Sequence, residues 1–220
     1  MRQFNTLRLS SREPSAIALA TEYLMQGQLV AFPTDTVYGL GAQALCVKAV
    51  GELYVVKERP VHLPIPLLLP DAEAMRSVCA SIPPLAWHLA QRFWPGGLSL
   101  VLPRAATVPE IVASGGSSVA VRVPDQPLVR ELCLRLGAPL ATSSANIHGQ
   151  TAPVTADEVE KALSGRIPLL LDGGSCPGGI ASTVLDLGVS PPVILRHGPV
   201  TAEELAELVP MAGMILPAGE

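Results

Sequence analysis

Aromatic residues are scarce, 4% of 220 positions, so a core has to be built from Val, Leu, Ala and Ile. Charge is also sparse at 15% while 49% of residues are hydrophobic, which excludes a disordered or solvating chain. There is no basic excess: 15 Lys and Arg stand against 19 Asp and Glu, a net charge of −4. That balance argues against a tight, non-specific nucleic-acid binder and leaves any weak RNA contact to a local patch. Mean hydropathy is high at +0.40, yet no run of roughly 20 apolar residues is present to span a bilayer. The apolar run from Val61 is interrupted by Pro64, Pro66 and Pro70, and residues 137–156 are full of Ser, Thr, Asn, Gly and Pro. The start, Met1 to Arg8, lacks the apolar stretch of a signal peptide. Cys46, Cys79, Cys133 and Cys176 form no C-x-x-C pair. They read as reduced, mostly buried thiols of a cytoplasmic protein, with neither a zinc site nor a disulfide framework.

Familiar catalytic signatures are missing as well. No G-x-x-x-x-G-K-[ST] loop occurs. Gly39-Leu40-Gly41-Ala42-Gln43-Ala44 has the spacing of a dinucleotide turn, but Thr34 to Tyr38 separate it from the preceding strand and no acidic residue follows about 20 positions on. Gly173-Gly174-Ser175-Cys176 runs into Pro177 and makes no nucleophile elbow. His62, His88, His148 and His197 are far apart, and no metal-ligand cluster is visible.

Helical and extended segments alternate. The spacing predicts helices over Pro14 to Gln26, Ala49 to Val56, Asp71 to Ala80, Pro83 to Phe93 and Leu128 to Leu136. Two capping boxes, Thr155-x-x-Glu158 and Thr201-x-x-Glu204, mark later helix starts. Strands are predicted at Leu29 to Phe32, Ile65 to Leu69, Leu98 to Leu102, Val119 to Val123, Leu169 to Leu171, Thr183 to Leu187 and Val193 to Leu195. This interleaving argues a single α/β domain over residues 1–220 with a mostly parallel or mixed sheet.

Polar groups collect where apolar strands end. Pro33-Thr34-Asp35-Thr36-Val37-Tyr38-Gly39 offers hydroxyls, a carboxylate and a phenol to a small polar ligand, or simply caps a turn. Lys57-Glu58-Arg59-Pro60 can clamp a polyphosphate, or can be an ordinary basic helix terminus complementing the dipole. Arg122, alternating with Val119, Val121 and Val123, faces solvent or reaches a ligand anion; the spacing leaves both open. Leu140-Ala141-Thr142-Ser143-Ser144-Ala145-Asn146 ends in hydroxyls and an amide, either a phosphate-binding edge or a Ser-rich loop. Ser182-Thr183-Val184 and Leu195-Arg196-x-Gly198 repeat the pattern.

Taken together and in this order, these segments resemble the YrdC-like family of threonylcarbamoyl-AMP synthases from about Leu29 to Gly198. The Lys57-x-Arg59 and Ser144-x-Asn146 motifs carry most of that resemblance. It implies a twisted open α/β sheet flanked by helices around a positively lined cavity. It also implies synthesis of threonylcarbamoyl-AMP and pyrophosphate from L-threonine, bicarbonate and ATP. Proteins that transfer the threonylcarbamoyl group to tRNA adenosine would be the downstream partners. By the same resemblance Lys57 and Arg59 are the expected catalytic cations, and Lys57, Arg59, Ser118, Ser144, Asn146 and Arg196 the expected ATP ligands. Thr36, Arg122, Thr142 and Ser182 are expected to hold threonine. Mg²⁺ is expected with ATP through phosphates and water. Leu63 and Leu68 stand where many relatives carry Asn and His, and the length matches the short form that lacks a C-terminal extension domain. Two other classes fit the same resemblance: a non-catalytic RNA-binding module, and a carbamoyl-adenylate domain of hydrogenase-maturation carbamoyltransferases.

Overall fold

Proline and glycine set many of the element boundaries. In the computed structural model, which describes residues 3–209, Pro84 and Pro127 open α4 (Pro84–Phe93) and α5 (Pro127–Leu136). A missing N–H is harmless in a first helical turn. Gly137, at φ +63°, ends α5 in the left-handed conformation that a side chain disfavours. Both predicted capping boxes form, Thr155 opening α6 (Ala156–Leu163) and Thr201 opening α7 (Ala202–Ala206). The remaining helices are α1 (Ala16–Met25), α2 (Val47–Lys57) and α3 (Met75–Val78). The helix predicted from Asp71 to Ala80 shrinks to α3. Asp71 still caps the turn, accepting from the Ala74 N–H at 2.9 Å. Cys79 and Ala80, however, are drawn into extended pairing with Arg104 and Pro103.

Ten strands share one mixed sheet: β1 (Leu7–Ser10), β2 (Val30–Phe32), β3 (Gly39–Gln43), β4 (Leu67–Leu68), β5 (Leu98–Pro103), β6 (Ser118–Arg122), β7 (Leu140–Ser144), β8 (Leu169–Asp172), β9 (Thr183–Asp186) and β10 (Val193–Arg196). Their order is β1-β8-β2-β3-β7-β4-β6-β5-β9-β10. β1/β8, β2/β8, β4/β6 and β5/β9 pair in parallel and the other neighbours antiparallel. β1 and β3 lie outside the predicted strands, and β7 runs through Ser144 in the segment read as the polar edge of a strand. β3 contains two glycines that carry no strand signal, and one of them is required. A Cβ on Gly41 would sit 2.5 Å from the Phe32 ring, so the ring of β2 lies across bare backbone.

Alternation along the strands separates two cores. Ala31, Leu67, Ala141 and Leu170 face one side, with Leu53 of α2, Leu89 of α4 and Leu163 of α6. Val30, Phe32, Leu68, Leu140, Leu169 and Leu171 face the other, beneath Ala20 and Leu24 of α1 and Leu132 and Leu136 of α5. Among the described residues, no helix is long and apolar enough to cross a membrane.

Candidate functional site

Leu68 belongs both to the core under α1 and α5 and to the wall of a neighbouring cavity of about 210 Å³. Strand ends from β4, β6, β7 and β9 and the strap between β2 and β3 converge there. Seven residues expected in the site line it: Thr36, Arg59, Arg122, Thr142, Ser144, Ser182 and Arg196. Among the described residues, no lining side chain is acidic.

The strap is a capped turn and a cavity wall at once. Thr34 Oγ1 accepts from the Thr36 N–H at 3.1 Å and donates to the Val37 carbonyl at 2.7 Å, fixing the turn. Tyr38 latches it by donating to the Gly174 carbonyl at 2.7 Å. The Asp35 carboxylate turns towards Arg122.

Arg122 is 5% exposed, which settles its orientation away from solvent. Its Nε donates to the Gly96 carbonyl at 2.7 Å, its Nη1 to Thr36 Oγ1 at 3.3 Å and its Nη2 to Asp35 Oδ1 at 2.6 Å. A guanidinium has five N–H groups, so two remain for a ligand. Burial pulls its pKa down while the Asp35 charge opposes that shift.

Arg59 reaches the cavity because α2 ends at Glu58 in a left-handed conformation (φ 53°), a strained geometry for a residue with a side chain. Its Nε and Nη2 donate to the Leu63 and Pro64 carbonyls at 3.2 and 2.9 Å. Arg196 follows a register shift in the β9–β10 ladder between Ile194 and Arg196, an irregularity that re-aims a side chain. It is exposed as a whole residue, yet its guanidinium turns inward: Nε donates to the Ser182 carbonyl at 2.9 Å and Nη2 to Ser182 Oγ at 3.1 Å. Burial, then Arg122 and Arg59, lowers its pKa. Both other guanidiniums are thus near enough to repel Arg196.

Three expected residues lie elsewhere. Lys57 is 1% exposed and does not line the cavity. Its Nζ donates to the backbone carbonyls of Ser144 and Asn146, the latter at 2.6 Å. It therefore ties the end of α2 to the end of β7 and is not a surface helix terminus. Asn146 Nδ2 donates to the Ile147 and Gln150 carbonyls, both at 2.8 Å, which bends the chain after β7. Ser118 is exposed at the opposite end of β6 from Arg122. Sequence reasoning also missed Ser99, a buried hydroxyl 2.9 Å from Ser182 Oγ. The signal was a lone Ser between Leu98 and Leu100 in an apolar strand.

A model of the Sua5/YciO/YrdC family, described as telomere recombination, matches residues 22–198. The chain belongs to this family. A threonylcarbamoyl-AMP synthase of Pyrococcus abyssi is 40% identical over 193 residues, covering 88% of this chain and 57% of the relative. One of Bacillus subtilis is 39% identical over 205 residues, covering 93% of this chain and 59% of the relative. A crystal structure of P. abyssi Sua5 complexed with L-threonine superimposes with a TM-score of 0.91 at 38% identity, over 96% of this chain and 62% of that one. The chain thus spans about three-fifths of the length of these relatives. Its mixed sheet with flanking helices is the fold of Sua5/YciO/YrdC proteins.

Proposed function

We propose that this chain makes threonylcarbamoyl-AMP and pyrophosphate from L-threonine, bicarbonate and ATP. One observation carries the reading: three arginines and a row of hydroxyls meet in a cavity to whose lining the described residues contribute no carboxylate. Such a cavity suits several anions and offers no activated nucleophile. The synthase names of the relatives support the same assignment.

Threonine and bicarbonate combine to a carbamate with loss of water. A carbamate oxygen then attacks the α-phosphorus of ATP as the bond to pyrophosphate breaks. Chemistry of this kind depends on positioning and charge neutralisation. Arg59 and Arg196, with the Ser144 hydroxyl, take the phosphates. Arg122 takes the threonine carboxylate with its two remaining N–H groups, and Thr36, Thr142 and Ser182 complete that subsite. Lys57 and Asn146 act one step back, by fixing the chain that carries Ser144.

Among the described residues no group of three or more His, Cys, Asp or Glu could hold a metal ion. Mg²⁺ entering with ATP would be held by phosphate oxygens and water and would neutralise phosphate charge there. The product then passes to proteins that threonylcarbamoylate tRNA.

The test is pyrophosphate release from ATP with threonine and bicarbonate omitted in turn. Release that requires both supports the assignment. Equal release without threonine overturns it.

A further inference from the structure

The three guanidiniums of the cavity are not equivalent. Arg59 and Arg196 donate to carbonyl and hydroxyl oxygens and, among the described residues, meet no carboxylate. Arg122 is paired with Asp35 at 2.6 Å, the two side chains being 6% and 13% exposed. Asp35 pairs with Arg122 without itself lining the cavity. One positive charge of three is therefore cancelled locally, while the oriented donors on that same group stay available.

We propose that Asp35 is a specificity-determining residue that sorts two anions within one basic cavity. By neutralising Arg122 it directs polyphosphate to Arg59 and Arg196 and reserves the Arg122 fork for the single carboxylate of the amino acid. The proposal rests on the synthase reading of the cavity. Its physical basis is the different charge dependence of the two ligands. A polyphosphate is attracted in proportion to its several charges, so it gains most from uncompensated cations. A carboxylate gains chiefly from two aligned N–H donors, which the ion pair preserves. Without Asp35, Arg122 would equal its neighbours and the phosphate chain would spread over the amino-acid subsite.

The decisive variant is Asp35→Asn, which keeps an oxygen for Arg122 Nη2 and removes only the charge. Calorimetric titration with tripolyphosphate, in the absence of ATP and threonine, should show about tenfold tighter binding, an excess that fades with added salt. In threonine-dependent turnover, tripolyphosphate should become competitive with threonine. Asp35→Glu, which restores the charge, should stay within about twofold of the parent. The double variant Asp35→Asn/Arg122→Met removes the pair as a unit and should match the parent to within about twofold, whereas Arg196→Met should bind tripolyphosphate about tenfold more weakly. That second comparison holds even if Asp35→Asn does not fold. Unchanged tripolyphosphate affinity in folded Asp35→Asn, equal tightening by Asp35→Glu, or equal losses in the double variant and Arg196→Met each overturn the proposal. A parent protein that binds tripolyphosphate as expected but releases pyrophosphate without threonine would sink the synthase reading instead.

Discussion

Lys57 and Arg59 leave the same helix end two residues apart and enter opposite surroundings. Lys57, in the last turn of α2, points inward and donates to two backbone carbonyls at the end of β7. No carboxylate is bonded to it among the described residues. Arg59, placed after the left-handed Glu58, opens onto the cavity and keeps donors free beyond its two carbonyl contacts. A motif read as one clamp is thus divided between holding the wall and lining the cavity. Spacing in sequence put both cations near the site, and the backbone turn between them decided their tasks.

Stability is the sharpest way to break this comparison. Lys57→Ala leaves the Asn146 carbonyl without a donor, at about 1–3 kcal/mol, takes one of two donors from the Ser144 carbonyl, which keeps the Asn146 N–H, and opens a void where the stem lay. The expected loss on urea unfolding is about 4 kcal/mol. Lys57→Met retains the stem and should lose less. Arg59→Ala should lose less than about 1 kcal/mol while sharply reducing threonine-dependent pyrophosphate release. Equal stability losses for the two variants would make the division of labour wrong.

Legibility in the sequence followed the same line. Alternation, prolines and capping boxes announced the helices and most strands, because those signals are local. Thr36, Arg122, Thr142, Ser182 and Arg196 were recognisable as polar groups at strand ends, and the cavity brings them together. What spacing cannot encode is a partner distant in the chain. Arg122 meets Asp35 across 87 positions and Lys57 meets Ser144 across 87. The burial of Lys57 was hidden by its charge, since lysine is almost never fully buried. β3 was hidden by its glycines, whose role emerges only when the Phe32 ring is laid against them.

Arg122 falls between the two extremes, being buried like Lys57 and cavity-facing like Arg59. Removing it leaves the Asp35 carboxylate, only 13% exposed, without its partner. Arg122→Ala should therefore cost about 2 kcal/mol of stability, below the range for fully buried pairs because Asp35 keeps some water contact. The double variant Asp35→Asn/Arg122→Ala should recover part of that loss, since no carboxylate then remains unpaired. Threonine binding should be lost in both. Recovery of stability together with threonine affinity would place the amino-acid subsite elsewhere.

The smallest expected effect is a pH slope belonging to Lys57. Burial, with a lesser push from Arg59, brings its pKa down from 10.5 to about 7. A neutral amine has two N–H groups, which match the two carbonyls it faces. Below pH 7 the folded and unfolded chains both carry the ammonium, and this group gives no slope. Above it the unfolded chain still holds a proton that the folded chain has released, so stability rises with pH. The rise is at most about 1.4 kcal/mol per unit. Burial raises the thiols of Cys79 and Cys133 from 9.0 to about 12. Above pH 9 they act in the opposite sense, because the unfolded chain loses those protons first. The Lys57 contribution is therefore cleanest between pH 7 and about 8.5, where urea unfolding should show stability climbing by about 1 kcal/mol. Lys57→Met should flatten that climb. A slope of the same size in the Met variant would mean that Lys57 stays charged in its carbonyl cage and that another group titrates.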